Sequence, residues 1–180
     1  MRQPPPSSLF FITVSSPVLS PIENVKSFGV PVVVAINQFV DDTTAELDAV
    51  RTTADGLGAK AIVAHHWADG SNGTEELAKH VVELVESDSA DFNCLYPDEM
   101  RLMEKIETIA TKIYRASSIS ADATVKKQIE ELQENFGHLP ICVAKTQYSF
   151  STNPDLKGAP TDHEVPIREV RLLSLIHISE

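Results

Sequence analysis

Phe39 and Trp67 are the residues whose type and placement best suit chemistry, each lying just beyond a short apolar run. An aromatic ring at a strand tip offers a flat face to a planar ligand, and two such rings make a stacking clamp. The alternative for each is packing beneath its own loop. Around them stand Asn37, Asp41, Asp42 and His66, and further along Lys145, Thr146, Ser149 and Ser151. The Lys145 ammonium could meet a carboxylate or phosphate, or simply snorkel from a strand end. The hydroxyls could hydrogen-bond an anion, but no general base stands at a fixed spacing from them, so a nucleophilic triad is not expected. Asp41 and Asp42 are a candidate metal or acid/base pair, although Asp42 reads more simply as a helix cap. Asp69-Gly-Ser-Asn-Gly73 is glycine-rich and leads into a helix, yet the full phosphate-loop pattern ending in Gly-Lys-Ser/Thr is nowhere in the chain. No catalytic residue is assignable.

These residues need strands to carry them. Val30–Ile36 is continuously apolar, as in a strand covered on both faces, and it follows a helix tail (Ile22–Phe28) stopped by Gly29. Thr43-x-x-Glu46 is a capping box, after which Leu47, Val50, Ala54 and Leu57 recur at helical spacing up to Gly56/Gly58. Ala59–His65 is the next strand, Trp67–Gly73 a flexible turn, and Thr74–Glu86 an amphipathic helix with Leu77, Val81, Leu84 and Val85 inward. Ser87–Pro97 reads as a polar connector. Asp98–Tyr114 and Ala121–Phe136 read as a helical pair inserted before a third strand, Leu139–Ala144. A last strand spans Val165–Leu172. Strand–helix alternation with short loops implies parallel strands, so the strand tips at Asn37–Phe39, His66–Trp67 and Lys145–Ser151 should share one sheet edge.

Composition narrows the partners. The net charge of −11 argues against sequence-independent nucleic-acid binding, which needs a surplus of cations. No apolar run approaches the roughly 20 residues that cross a bilayer, and Met1–Pro21 lacks the charge and cleavage pattern of a signal peptide. Cys94 and Cys142 have no metal-ligand spacing and read as reduced, buried thiols of a cytoplasmic protein. His65–His66 would point to opposite strand faces and chelate poorly, so no metal site is expected.

The motifs resemble those of formate–tetrahydrofolate ligase (formyltetrahydrofolate synthetase), in its bacterial-type single-function form. They are Glu23–Asn37 with Asp42-Thr-Thr-Ala-Glu46, His66-Trp-Ala-Asp-Gly70, Leu95-Tyr-Pro97, Lys105–Ala110, Lys112-Ile-Tyr114, Gly137–Ser151, Lys157-Gly-Ala-Pro160 and Pro166–Arg171. The resemblance runs from about Ile22 to Leu172 and covers a later-middle portion of the family's length. It implies an α/β fold, a parallel-sheet three-layer fragment of a P-loop NTPase-like domain, with residues 98–136 as a helical insertion between the second and third strands. Residues 1–21 and 173–180 are expected to stand outside this domain, the first stretch disordered or spurious.

Such enzymes use ATP and magnesium to activate formate as formyl phosphate, then transfer the formyl group to N10 of tetrahydrofolate, usually as tetramers. The resemblance implies that Phe39 and Trp67 sandwich the folate ring, with Asn37, Lys145, Thr146, Ser149 and Ser151 as candidate lining of the same cleft. The family's ATP phosphate loop belongs to its N-terminal part, so this chain is expected to be inactive alone. Ser71 and Asp162 stand where the family favours glycine. Two other readings compete: a non-catalytic ring-binding module, or a truncated product that does not fold by itself.

Overall fold

Four β-favouring side chains within five residues, Val32, Val33, Val34 and Ile36, cannot all face one side of a strand, so both faces must be covered. In the computed structural model, which describes residues 10–13, 19–144, 150–153, 155–156 and 158–173, they form β2 (Val32–Asn37), and all four are buried. β2 is the middle of a three-stranded sheet, paired parallel with β1 (Phe10–Thr13) on one side and β3 (Lys60–Ala64) on the other. Four residues of the stretch expected to stand outside the domain therefore belong to the sheet.

Helix α1 (Leu19–Lys26) precedes β2, and α2 (Thr44–Gly56) connects it to β3. Their Ile22, Leu47 and Ala54 meet Val32, Val34, Ile36, Ala59 and Ala61 in one apolar cluster. Burying each large aliphatic side chain there contributes about 1.5–3 kcal/mol. The register Asn37↔Ala64 sets the carboxyl ends of β2 and β3 side by side. Beyond β3 come a single helical turn, α3 (His66–Asp69), a 3-10 turn (Gly70–Thr74) and α4 (Glu75–Glu86). The apolar face expected inward on α4 is only half covered: Leu77, Val81 and Leu84 are intermediate in burial, and Val85 is exposed.

The chain divides into two compact units, Met1–Cys94 and Leu95–Glu180, with the boundary inside the expected connector. The second unit contains α5 (Leu102–Lys112), β4 (Ser118–Ala121), α6 (Ala123–Phe136) and β5 (Glu164–Ile167), with β4 and β5 paired parallel. Leu102, Ile106, Val125 and Ile129 form its core. The stretch 98–136 is therefore not purely helical, since β4 lies between the two helices. The last strand is also shorter than Val165–Leu172. Pro166 takes part in it without an N–H to donate, a pattern suited to a short edge strand.

Leu139–Ala144, expected as the third strand of the main sheet, forms no strand. Part of the backbone here is claimed by side chains. Lys105 Nζ donates to the carbonyls of Gly137 (2.8 Å) and Leu139 (3.1 Å), and the Ile141 N–H donates to Tyr96 Oη at 3.0 Å. Pro140 brings no N–H at all. Lys105 also donates to Asp98 O at 2.7 Å, has no exposed surface, and lies 5.7 Å from the Tyr96 ring centre. A buried ammonium is tolerated where carbonyls and a ring face replace its water. Cys94 and Cys142 are free, as expected, but exposed rather than buried.

Candidate functional site

A parallel sheet brings the carboxyl ends of adjacent strands together, and the loops leaving them fall on one edge. On the edge of the first unit stand Asn37, half-buried at the last position of β2, then Phe39, 59% exposed, and Trp67, 76% exposed. So large an exposure at both rings is not core packing. Val40, beside Phe39, is fully exposed as well.

The turn that carries Phe39 closes on itself. Its N–H donates to Asp42 Oδ2 at 2.7 Å, the Asp42 N–H donates to the Phe39 carbonyl at 3.1 Å, and the Gln38 N–H reaches Ala64 O at 3.3 Å. Asp42 thus holds the Phe39 turn. It is not the cap of the following helix, because that role belongs to Thr43. The Thr43 hydroxyl accepts from the Glu46 N–H, and the Glu46 carboxylate accepts from the Thr43 N–H at 2.9 Å and its hydroxyl at 2.8 Å. These bonds hold the Glu46 carboxyl below its ordinary range, the backbone bond contributing most.

Trp67 sits on the single turn α3, its ring 6.3 Å from the His66 ring and tilted by 35°. The expected flexible turn is a closed one. The N–H groups of Ala68 and Asp69 both donate to His65 O, and the His65 N–H donates to Gly73 O at 3.0 Å. As an anion cradle the Asp69–Gly73 loop is poor, since the Glu75 N–H at its end already donates to Asn72 O. Ser71 lies in the 3-10 turn away from the left-handed region, so its departure from glycine costs the backbone nothing.

Of the more distant candidates, Lys145, Thr146 and Ser149 lie outside the described residues. Ser151 lies in the second unit and is 3% exposed, its hydroxyl accepting from the Asn153 N–H at 2.9 Å. Its neighbour Phe150 meets Tyr114 edge-on at 5.9 Å, and burial raises the Tyr114 phenol above its ordinary range. Sequence reasoning missed Lys105 as the brace of this unit. A lysine on the apolar stripe of an amphipathic helix, one residue before Ile106, was the available signal. His163 is also buried, with neither ring nitrogen partnered among the described residues. No group of three or more His, Cys, Asp or Glu among the described residues is arranged to hold a metal ion.

The fold and this edge define an α/β protein of the parallel-strand class, with exposed aromatics beyond the strand ends. The chain belongs to the formate–tetrahydrofolate ligase family, whose model matches residues 16–174. It is 61% identical over 152 residues to the formate–tetrahydrofolate ligase of Ruegeria sp. (strain TM1040), covering 84% of this chain. It is 59% identical to that of Ruegeria pomeroyi and 57% identical to that of a Sphingobium species, over the same share. In each case the chain spans 27% of the relative's length.

Proposed function

We propose that this chain contributes part of the folate cleft of a formate–tetrahydrofolate ligase, with Phe39 and Trp67 stacking on the folate ring. The activity of the whole enzyme on this reading is ATP-dependent formylation of tetrahydrofolate to 10-formyltetrahydrofolate, in cytoplasmic one-carbon metabolism. The observation that carries it is the exposure of both aromatics on adjacent loops at the carboxyl edge of β2 and β3, in a chain of this family. Two ring faces held by closed turns suit a flat heteroaromatic, because stacking gains dispersion without requiring either ring to reorder. On this reading Asn37, half-buried at the end of β2, would hydrogen-bond the ring's polar rim.

Among the described residues no group of three or more His, Cys, Asp or Glu is arranged to hold a metal ion, and the Asp42 carboxylate accepts from the Phe39 N–H. No phosphate-loop pattern occurs in the sequence. On this reading the residues that hold the ATP phosphates lie elsewhere in the enzyme, and the 180-residue chain alone should not formylate tetrahydrofolate. As part of the same reading, residues 22–172 fall within a three-layer, P-loop NTPase-like domain, with 1–21 and 173–180 at its margins. Residues 98–136 form an insertion that is helical apart from β4, and the whole enzyme is a homotetramer.

Trp67 is the sole tryptophan of the chain, so its emission reports this edge directly. Titration with tetrahydrofolate should quench it saturably, and Phe39→Ala should weaken the binding. Unchanged emission at saturating tetrahydrofolate, with calorimetry showing no heat, would remove the stacking assignment.

A further inference from the structure

We infer that Gly73 is a positioning residue for Trp67, the absence of its side chain fixing where the indole stands. This rests on the folate reading above for its ligand, but not for its geometry. Trp67 is mostly exposed, so core packing cannot hold its ring in place. What holds it is the loop from His65 to Thr74, whose end is drawn against its beginning. The Gly73 carbonyl accepts from the His65 N–H at 3.0 Å, and Thr74 Oγ1 donates to Ser71 O at 2.9 Å. A Cβ added at Gly73 would lie 2.5 Å from His65 C, 2.6 Å from His65 O and 2.8 Å from His66 N. All three are backbone atoms, so no side chain can swing aside to make room. They belong to the residues that launch α3, and the next residue is Trp67 itself. Any side chain at position 73 must therefore either open the loop or push the first turn of α3, carrying the indole with it. Gly70, at φ +58° and ψ −138°, makes the bend between α3 and the 3-10 turn in a conformation that favours glycine, with nothing within 4 Å of its added Cβ.

Two substitutions thus strain the same loop by different routes, while Gly56→Ala, where an added Cβ meets nothing within 4 Å, serves as the control. In the 180-residue chain, Gly73→Ala should lower the steady-state anisotropy of Trp67 and raise its acrylamide quenching about twofold, as expected of a surface loop that has lost local order. Gly70→Ala should act in the same direction, and Gly56→Ala should change neither. Tetrahydrofolate binding, followed by calorimetry, should weaken about tenfold in Gly73→Ala, the scale of a displaced aromatic anchor. In a Trp67→Ala background the same Gly73→Ala change should cost no further affinity.

If Gly73→Ala leaves anisotropy and quenching at the wild-type values, the positioning role is wrong. A further loss of affinity in the Trp67→Ala background would also overturn it, because Gly73 would then act elsewhere. If Trp67→Ala binds tetrahydrofolate like the wild type, the folate reading falls, and the fluorescence results alone decide the loop. Should Gly73→Ala fail to fold, shown by loss of the far-ultraviolet signal, Gly70→Ala carries the same test without a steric clash.

Discussion

The two units of the molecule solve one problem in different ways: how to fix an apolar segment of backbone. In the first unit β2 is fixed by ladders on both sides and by apolar burial, with Val33 and Val34 fully enclosed. In the second unit the segment 137–144 has no ladder, and its backbone is bound by two side chains, Lys105 and Tyr96, besides one backbone bond from the Leu139 N–H to Phe136 O. Ladder bonds are many and each is modest, so one lost contact is shared among neighbours. The Lys105 ammonium gathers three carbonyls at a single point, and its loss strands all of them together. The first arrangement tolerates change, whereas the second concentrates its dependence on one residue.

Lys105→Met breaks this contrast at its sharpest point. It keeps the length of the side chain but leaves the carbonyls of Asp98, Gly137 and Leu139 without their donor, and should destabilise the second unit by about 3–5 kcal/mol. Hydrogen exchange at the α5 and α6 amides, with urea unfolding, would measure it. Ile22→Ala is the counterpart in the first unit. Ile22 is fully buried in the cluster beneath β2, and a cavity there should cost about 2–4 kcal/mol, read from the β2 and β3 amides. If Lys105→Met costs less than Ile22→Ala, the second unit does not depend on Lys105 in this concentrated way.

The same contrast explains what could be read from the sequence. The first unit was legible because its signals are local. An unbroken apolar run, a capping box and glycines at helix ends specify β2, α2 and β3, and the exposed positions of Phe39 and Trp67 follow from those boundaries. The second unit was not, because its decisive contacts join residues far apart. Leu-Pro-Ile-Cys-Val-Ala has the apolar composition of a buried strand. Its fate is decided by Lys105, 32 and 34 residues before its acceptors Gly137 and Leu139, and by Tyr96, 45 residues before Ile141. β4 was missed for a similar reason: Ser-Ile-Ser-Ala is too short to signal a strand until Glu164–Ile167 pairs with it. At the candidate site, Asp42 was misassigned as a helix cap because both it and Thr43 are good capping residues, and only geometry separates their roles.

A smaller effect tests backbone strain in the second unit. Asp162, in the turn before β5, has φ +61°, a left-handed conformation that costs a side chain about 1–2 kcal/mol, somewhat less for aspartate. Its N–H still donates to Arg115 O at 3.3 Å, a bond that glycine would keep. Asp162→Gly removes the steric cost but adds freedom to the unfolded chain, so the net gain should be only about 0.5 kcal/mol. The urea midpoint of the second unit should rise slightly. A fall would mean that the Asp162 side chain does more for the turn than its backbone costs.

The smallest effect belongs to the first unit and is visible only as a pH dependence. The Glu46 carboxylate accepts from the Thr43 N–H and hydroxyl, which holds its pKa below the ordinary value of 4.5. A carboxyl whose pKa is lowered in the folded state adds stability that is fully present above the unfolded value. That stability is lost as the pH falls through the lower, folded value. Glu46→Gln keeps an amide able to reach back to the Thr43 N–H but cannot titrate. The stability difference between the wild type and Glu46→Gln should therefore be constant above about pH 5.5 and shrink below pH 4.5, approaching its limit only under acid conditions. Urea midpoints measured across that range, following the α2 amides, would show it. Because α2 begins directly after the turn that carries Phe39, loss of this box on acidification should loosen the Asp42 clasp before the apolar cluster beneath β2 responds. A pH-independent difference between the two proteins would mean that the box does not distinguish the charged carboxylate from the amide.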